Sequence, residues 1–246
     1  MGINSLMINC CIILAGGRGT RMAKYTHDRP KALIDVSGRP FLFYQLEKLK
    51  REGVLYTVIS SGYRSEMIED YVAESKTDMK VDVVPDGAAP LGTGGAIKKC
   101  VEELQEIPEN FFVLYGDSFL PISYRDLGEN FERHNDKFRA LMTVYQNEDL
   151  LDKSNCEFVD DLQVSYNKKH PTPSMKYIDY GISILSRDVV KQYLPSNENI
   201  DLADVYTEMS QKGEIMGHEV SQRFYEIGSE SGLQEFTQWS QKNLSY

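Results

Sequence analysis

The stretch Leu14-Ala15-Gly16-Gly17-Arg18-Gly19-Thr20-Arg21-Met22, continued after a short gap by Arg29-Pro30-Lys31-Ala32-Leu33, decides how the rest of the chain is read. It follows directly on the apolar run Cys10-Cys11-Ile12-Ile13, which predicts a buried strand. A strand that empties into Gly16, Gly17 and Gly19 leaves main-chain N–H groups unshielded by any Cβ, so an anion can come close to the backbone. Two fixed cations, Arg21 and Lys31, stand on the same segment. A polyphosphate suits that arrangement.

Two familiar phosphate loops are excluded by spacing. No Gly-x-x-x-x-Gly-Lys-Ser/Thr run exists, and from Gly17 the pattern reads Gly-Arg-Gly-Thr-Arg-Met, without the third glycine of a dinucleotide fingerprint. That glycine permits close helix–strand packing, so a dehydrogenase is the weakest reading. The loop instead resembles the signature of the sugar-nucleotide pyrophosphorylases, Gly-Gly-x-Gly-Thr-Arg-Met/Leu with Pro-Lys-Ala/Pro some ten residues on. These nucleotidyltransferases join an NTP to a sugar 1-phosphate. The resemblance extends from Ile12 to about Leu233. It implies a Rossmann-like, three-layer α/β/α nucleotidyltransferase fold of GT-A-like type, with a mostly parallel sheet and antiparallel additions in the second half.

Composition sets outer bounds. The 246 residues suit one large α/β domain, with residues 1–8 as a flexible lead-in. The net charge of -10 leaves no basic surplus for a nucleic acid partner, although a few local cations suffice for one triphosphate. The 4 cysteines, Cys10, Cys11, Cys100 and Cys156, lack metal-type spacing and read as reduced, buried thiols, which suits the cytoplasm. No segment is long and apolar enough for membrane insertion.

Apolar runs and helix-period segments alternate through the first half, as in a parallel sheet covered on both faces. Strands are expected at Cys10–Leu14, Tyr56–Ser60, Val81–Val84 and Phe111–Leu114. Helices are expected at Phe41–Glu52, at Ser65–Val72 with Ser65 as N-cap, and at Gly94–Leu104. The second half reads as strands at Arg139–Tyr145, Glu157–Asp160, Leu162–Tyr166 and Tyr177–Leu185. Helices return at Arg187–Tyr193, Asp201–Lys212 and Ser229–Asn243.

In open α/β sheets, ligands bind beyond the carboxyl ends of strands. Four clusters are expected there: the loop from Gly16 to Lys31, the turn from Pro85-Asp86-Gly87 to Pro90-Leu91-Gly92-Thr93-Gly94-Gly95-Ala96, the Tyr115-Gly116-Asp117 step, and Tyr225-Glu226-Ile227-Gly228. The resemblance implies a role for each. Leu14, Ala15, Gly16, Gly17, Gly19 and Thr20 would cradle the nucleotide, together with Asp86, Gly92 and Thr93. Asp117, ending a buried strand, would hold Mg²⁺ with Glu226, which stands where family members usually carry aspartate. Lys168 would grip the sugar phosphate, with Lys169 as the competing match, and Gly181 would leave room for the sugar ring. Arg21, Lys31 and Asp117 would be the catalytic set.

The implied reaction needs no general base, because the attacking phosphate oxygen is anionic at neutral pH, and none of the 4 histidines falls in a cluster. Catalysis then rests on holding two repelling anions together and neutralising the developing charge. The segment Pro90–Ile97 resembles most closely the members acting on mannose- or heptose-type 1-phosphates. Base and sugar stay open at this point. So do a cytidylyltransferase acting on a non-sugar phosphate such as phosphocholine, an acidic-sugar enzyme, and a non-catalytic nucleotide-sugar-binding subunit. Family members often form dimers or tetramers, so a homo-oligomer is expected.

Overall fold

Strand β1, Cys10–Ala15, alternates strictly between two cores. Cys11, Ile13 and Ala15 pack with Ile59, Leu114 and Ile182 on one face, while Cys10 and Ile12 pack with Val58, Val113 and Leu185 on the other. A strand buried on both sides needs a layer above and a layer below, so the two-sided apolar run itself demands three layers. The structure, a computed structural model, describes residues 8–75, 77–87, 89–196 and 198–245, and residues 1–7 of the expected lead-in lie outside them. Ile8, by contrast, is buried at 9% exposure, and the Asn9 carbonyl accepts from the Leu55 and Tyr56 amides, so residue 8 of the expected lead-in is packed against the sheet.

Along the chain follow α1 (Ala23–Thr26), the β2 (Asp35–Val36) and β3 (Arg39–Pro40) ribbon, α2 (Phe41–Arg51), β4 (Tyr56–Ser61), α3 (Ser65–Glu74), β5 (Lys80–Pro85), α4 (Gly92–Glu103) and β6 (Asn110–Tyr115). The second half adds β7 (Ser118–Phe119), α5 (Tyr124–Glu132), β8 (Ala140–Gln146), β9 (Cys156–Phe158), β10 (Val164–Tyr166), β11 (Tyr177–Ser186), α6 (Arg187–Tyr193), α7 (Leu202–Gln211), β12 (Ile215–Val220), β13 (Tyr225–Glu226) and α8 (Glu230–Asn243). Strands β5, β4, β1 and β6 lie parallel in that order. β11 then runs antiparallel to β6 on one side and to β8 on the other, and β12 closes that edge parallel to β8. A third apolar cluster, in which Phe236 of α8 meets Phe41, Tyr44 and Phe119, fastens the C-terminal helix beneath the β7–β13 ribbon.

Besides the short elements α1, β2, β3, β7 and β13, which were not expected, three further departures have a physical reason. Ser65 does not cap α3; the residue before the helix is Arg64, in the left-handed region at φ 54°, and the Ser65 hydroxyl bonds instead to Ser61 and Glu69. Helix α5 was not among the expected elements, although its buried residues Tyr124, Leu127 and Phe131 stand at helical i, i+3, i+7 spacing; Gly128 in its middle argues locally against a helix. Strand β12 was hidden by Gly217 and His218 in its centre. Gly217 is there for space, because a Cβ would come within 2.3 Å of the Val164 side chain.

Candidate active site

The loop leaving β1 is closed by its own side chains. Gly19 takes a left-handed φ of +61°, and a Cβ there would stand 3.0 Å from Thr26 Cγ2 and 3.4 Å from Lys31 Cβ, so the Arg21 and Lys31 segments can fold together only over glycine. Thr26 donates to the Gly19 and Met22 carbonyls, both at 3.1 Å. Pro30 enters a 3-10 turn over Lys31–Leu33 in extended geometry, which faces Lys31 back toward β1.

Asp117 arrives from the neighbouring strand. β6 ends at Tyr115, and the Gly116 amide donates to Leu14 O at 2.9 Å. A Cβ on Gly116 would lie 2.6 Å from Leu14 O, so the two strand ends touch backbone to backbone. Beyond the turn, β7 pairs with β13, setting Ser118 opposite Glu226, and the Ile227 amide donates to Asp117 O at 2.9 Å. The fourth expected cluster therefore reaches the site on this two-stranded ribbon and not at the carboxyl end of a main-sheet strand. Lys31 Nζ lies 2.6 Å from Asp117 Oδ2. A methyl at Gly228 would stand 3.4 Å from Glu226 Oε1 and 3.6 Å from Lys31 Nζ, so carboxylate and ammonium flank the same point. Burial, then the nearby Asp117 charge, push the Glu226 carboxyl up from its ordinary range, and Lys31 and Arg21 pull it partly back.

Two cavities meet at these side chains. One, about 330 Å³, is walled by Leu14, Ala15, Gly17, Gly19, Thr20, Lys31 and Thr93. The other, about 550 Å³, is walled by Lys168, Asp179, Gly181 and Glu226. Both share Arg21, Tyr115 and Asp117. Lys168 and Lys169 part company here, since Lys169 turns away to pair with Asp204 at 2.5 Å. Gly181, at φ +102°, sits in the irregular step of β11 between Asp179 and Ser183.

The remaining expected residues stand back from the first cavity. Gly16 is the floor of the loop: the Asp86 carboxylate would be 2.8 Å from a Cβ there, and a Cβ on Gly62 would lie 2.5 Å from Gly16 O. Asp86 itself borders a separate cavity of about 130 Å³ with Leu91, Gly95 and Lys99, and burial raises its carboxyl above the ordinary range. Gly92 does not wall the first cavity. Its φ is +69° and a Cβ would meet Ile200 O at 2.4 Å, while Gly95 packs as closely on Glu198 O. This glycine run is spent on docking α4 against the segment before α7. Thr93 serves both ends, reaching the first cavity while its hydroxyl donates to Asp201 at 3.1 Å and accepts from the Leu202 amide at 2.7 Å.

Asp179 was not anticipated. It lies inside Tyr177-Ile178-Asp179-Tyr180-Gly181, where an apolar strand gives no cue to an acid facing a cavity. Burial lifts its carboxyl to about 6, although the Gly181 N–H, Lys168 and the Tyr115 hydroxyl each favour the charged form.

Among the described residues, no three His, Cys, Asp or Glu side chains converge as a metal cage. The Asp117–Glu226 pair nonetheless fits Mg²⁺. That ion takes one or two carboxylates and completes its octahedron with substrate phosphate oxygens and water. The partly desolvated Glu226, raised by its acidic neighbour, is a group that a cation would satisfy.

A parallel sheet with a glycine loop at its carboxyl edge, two cations and a paired acid define a nucleotide-handling α/β protein. Residues 10–222 match the nucleotidyl transferase family, and the chain belongs to it. It is 35% identical over 133 residues to the D-glycero-alpha-D-manno-heptose 1-phosphate guanylyltransferase of Aneurinibacillus thermoaerophilus, covering 54% of this chain and 55% of that one. It is 30% identical over 184 residues to the enzyme of the same name from Campylobacter jejuni, covering 74% of this chain and 78% of that one. The match thus spans little more than half the length of the first of these relatives. HddC from Yersinia pseudotuberculosis, crystallised with GMP-PN, superposes with a TM-score of 0.75 at 25% identity, over 94% of this chain and 99% of that one. No helix among the described residues is long and apolar enough to cross a membrane.

Proposed function

We propose that the chain acts as one nucleotidyltransferase domain that transfers a nucleoside monophosphate from an NTP to a sugar 1-phosphate, and that the pair is GTP with a heptose or mannose 1-phosphate. The observation that carries the reading is the Lys31–Asp117 contact of 2.6 Å at the seam between two cavities, each large enough for one half of the reaction. The amides from Gly17 to Arg21 and the Arg21 guanidinium hold the β- and γ-phosphates in the first cavity. Lys168 holds the acceptor phosphate in the second. Lys31 stands between them, where the two anions would otherwise repel.

An acceptor phosphate oxygen attacks the α-phosphorus in line, the bond from that phosphorus to the α–β bridging oxygen breaks, and the pair of electrons leaves with pyrophosphate. No proton moves. Mg²⁺ held by Asp117 and Glu226 would supply charge neutralisation at the α-phosphate. Asp179 offers a carboxylate to acceptor hydroxyls, and Gly181 keeps the strand beneath them free of a side chain. The guanine preference is supported by the two guanylyltransferase relatives. Sugar-nucleotide synthesis in the cytoplasm agrees with four free, buried thiols.

The test is pyrophosphate release over a matrix of the four NTPs against mannose, heptose, glucose and amino-sugar 1-phosphates and phosphocholine. Turnover peaks with GTP and a heptose or mannose 1-phosphate. Turnover only with CTP and phosphocholine, or none in any combination, overturns the proposal.

A further inference from the structure

Gln45 sits in the middle of α2 at 1% exposure. Its Nε2 donates to Tyr115 O at 2.9 Å and to Ser118 O at 2.8 Å, the two carbonyls that bracket Gly116 and Asp117. The reversed amide would set Oε1 against two carbonyl oxygens, so chemistry fixes the orientation. Oε1 meanwhile has no hydrogen-bond partner among the described residues, a cost that an aliphatic residue of the same length would avoid. A helix that needed only packing here would carry leucine or methionine.

The same helix also anchors the other half of the catalytic pair. Phe41, its first residue, donates its N–H to Ile34 O, and the Ile34 N–H closes the 3-10 turn on Lys31 O. Lys31 and Asp117 are 86 positions apart in the chain, yet both are referred to α2 through a single layer of hydrogen bonds.

We propose that Gln45 is a positioning residue for the transfer: its amide sets the height of the Asp117 turn above α2, and with it the spacing of Asp117 from Lys31 and Glu226. This rests on the transferase reading above. Misplacing a reacting group by about 1 Å costs on the order of 100-fold in rate, so a small shift of this turn is enough to be measured.

The test uses the full chain and two substitutions. Gln45→Met keeps length and volume but removes both donors. It melts cooperatively, loses about tenfold or more in kcat with KM for the NTP changed far less, and needs about threefold more MgCl₂ to reach half-maximal rate. The single tryptophan, Trp239, stacks on Tyr225 at 4.8 Å beside Glu226, so its fluorescence follows the same MgCl₂ titration without turnover and shows the same displaced midpoint. Gln45→Glu adds an ionisation: the protonated acid still donates to one carbonyl, whereas the carboxylate faces two. Its activity relative to the unsubstituted protein therefore recovers as pH falls.

A folded Gln45→Met with unchanged kcat and MgCl₂ midpoint overturns the proposal. So does a flat Gln45→Glu ratio across pH, which decides the matter alone should Gln45→Met fail to fold. An unsubstituted protein that turns over no NTP defeats the transferase reading instead. The fluorescence midpoint then judges Gln45 by itself.

Discussion

Replacing Asp179 with Asn removes an ionisation that the fold makes costly, and the cost has a pH signature. The carboxyl titrates at about 6 in the folded chain against 3.8 ordinarily, with burial as the cause. A raised carboxyl binds its proton more tightly folded than unfolded, so it adds nothing adverse well below pH 3.8. Stability is then lost as pH climbs through the interval, and the full penalty stands above about pH 6. Two pH units correspond to about 3 kcal/mol in total, of which about half develops between pH 5 and pH 8. Asn keeps an oxygen to accept from the Gly181 N–H and does not titrate. The melting temperature of Asp179→Asn minus that of the unsubstituted protein therefore rises by about 3–6 °C from pH 5 to pH 8 in a chain of this size. Differential scanning calorimetry without ligands measures it. An equal difference at both pH values refutes the idea that burial strains this carboxylate.

Lys31→Ala leaves Asp117 without its 2.6 Å partner and lowers kcat by about 100-fold or more while circular dichroism stays unchanged, whereas near-normal turnover would remove Lys31 from the chemistry. Gly116→Ala pushes a methyl to 2.6 Å from Leu14 O, parting β1 from the Asp117 turn. It should cost about 2–4 kcal/mol in urea unfolding, and an effect under about 0.5 kcal/mol would show that the strand ends give way freely.

The part of the site legible in the sequence is the part whose chemistry is local. Gly16 to Lys31 lies in one continuous segment, so its glycines, arginine and lysine declare an anion loop before any partner is known. Asp117 was legible because it follows closely on a buried strand and stands where the family resemblance implies an acid. Gln45 and Asp179 gave no such sign, since each takes its meaning from elements far away in the chain: the Tyr115 and Ser118 carbonyls in one case, Lys168 and Tyr115 in the other. The glycines after Leu91 carried a real signal, but an absent Cβ states that something comes close without saying what. There it is Ile200 and Glu198, and Gly92 is occupied with them. Likewise β12 lacked an apolar alternation because Gly217 makes way for Val164, a demand set by tertiary packing.

The ladder from Leu114↔Ile182 to Asn110↔Ser186 is where strand direction reverses, and it joins the parallel strands β5, β4, β1 and β6 to everything beyond β11. The Gly16–Lys31 loop and the turn from Asp86 to Thr93 belong to the first set, and Lys168, Asp179 and Gly181 to the second. A lineage could therefore redesign the later portion by drift along β11 while keeping the donor half, provided that Glu226 and the Glu198–Ile200 segment against α4 stay in place. One scaffold could in this way diversify its acceptors without relearning how to hold a triphosphate.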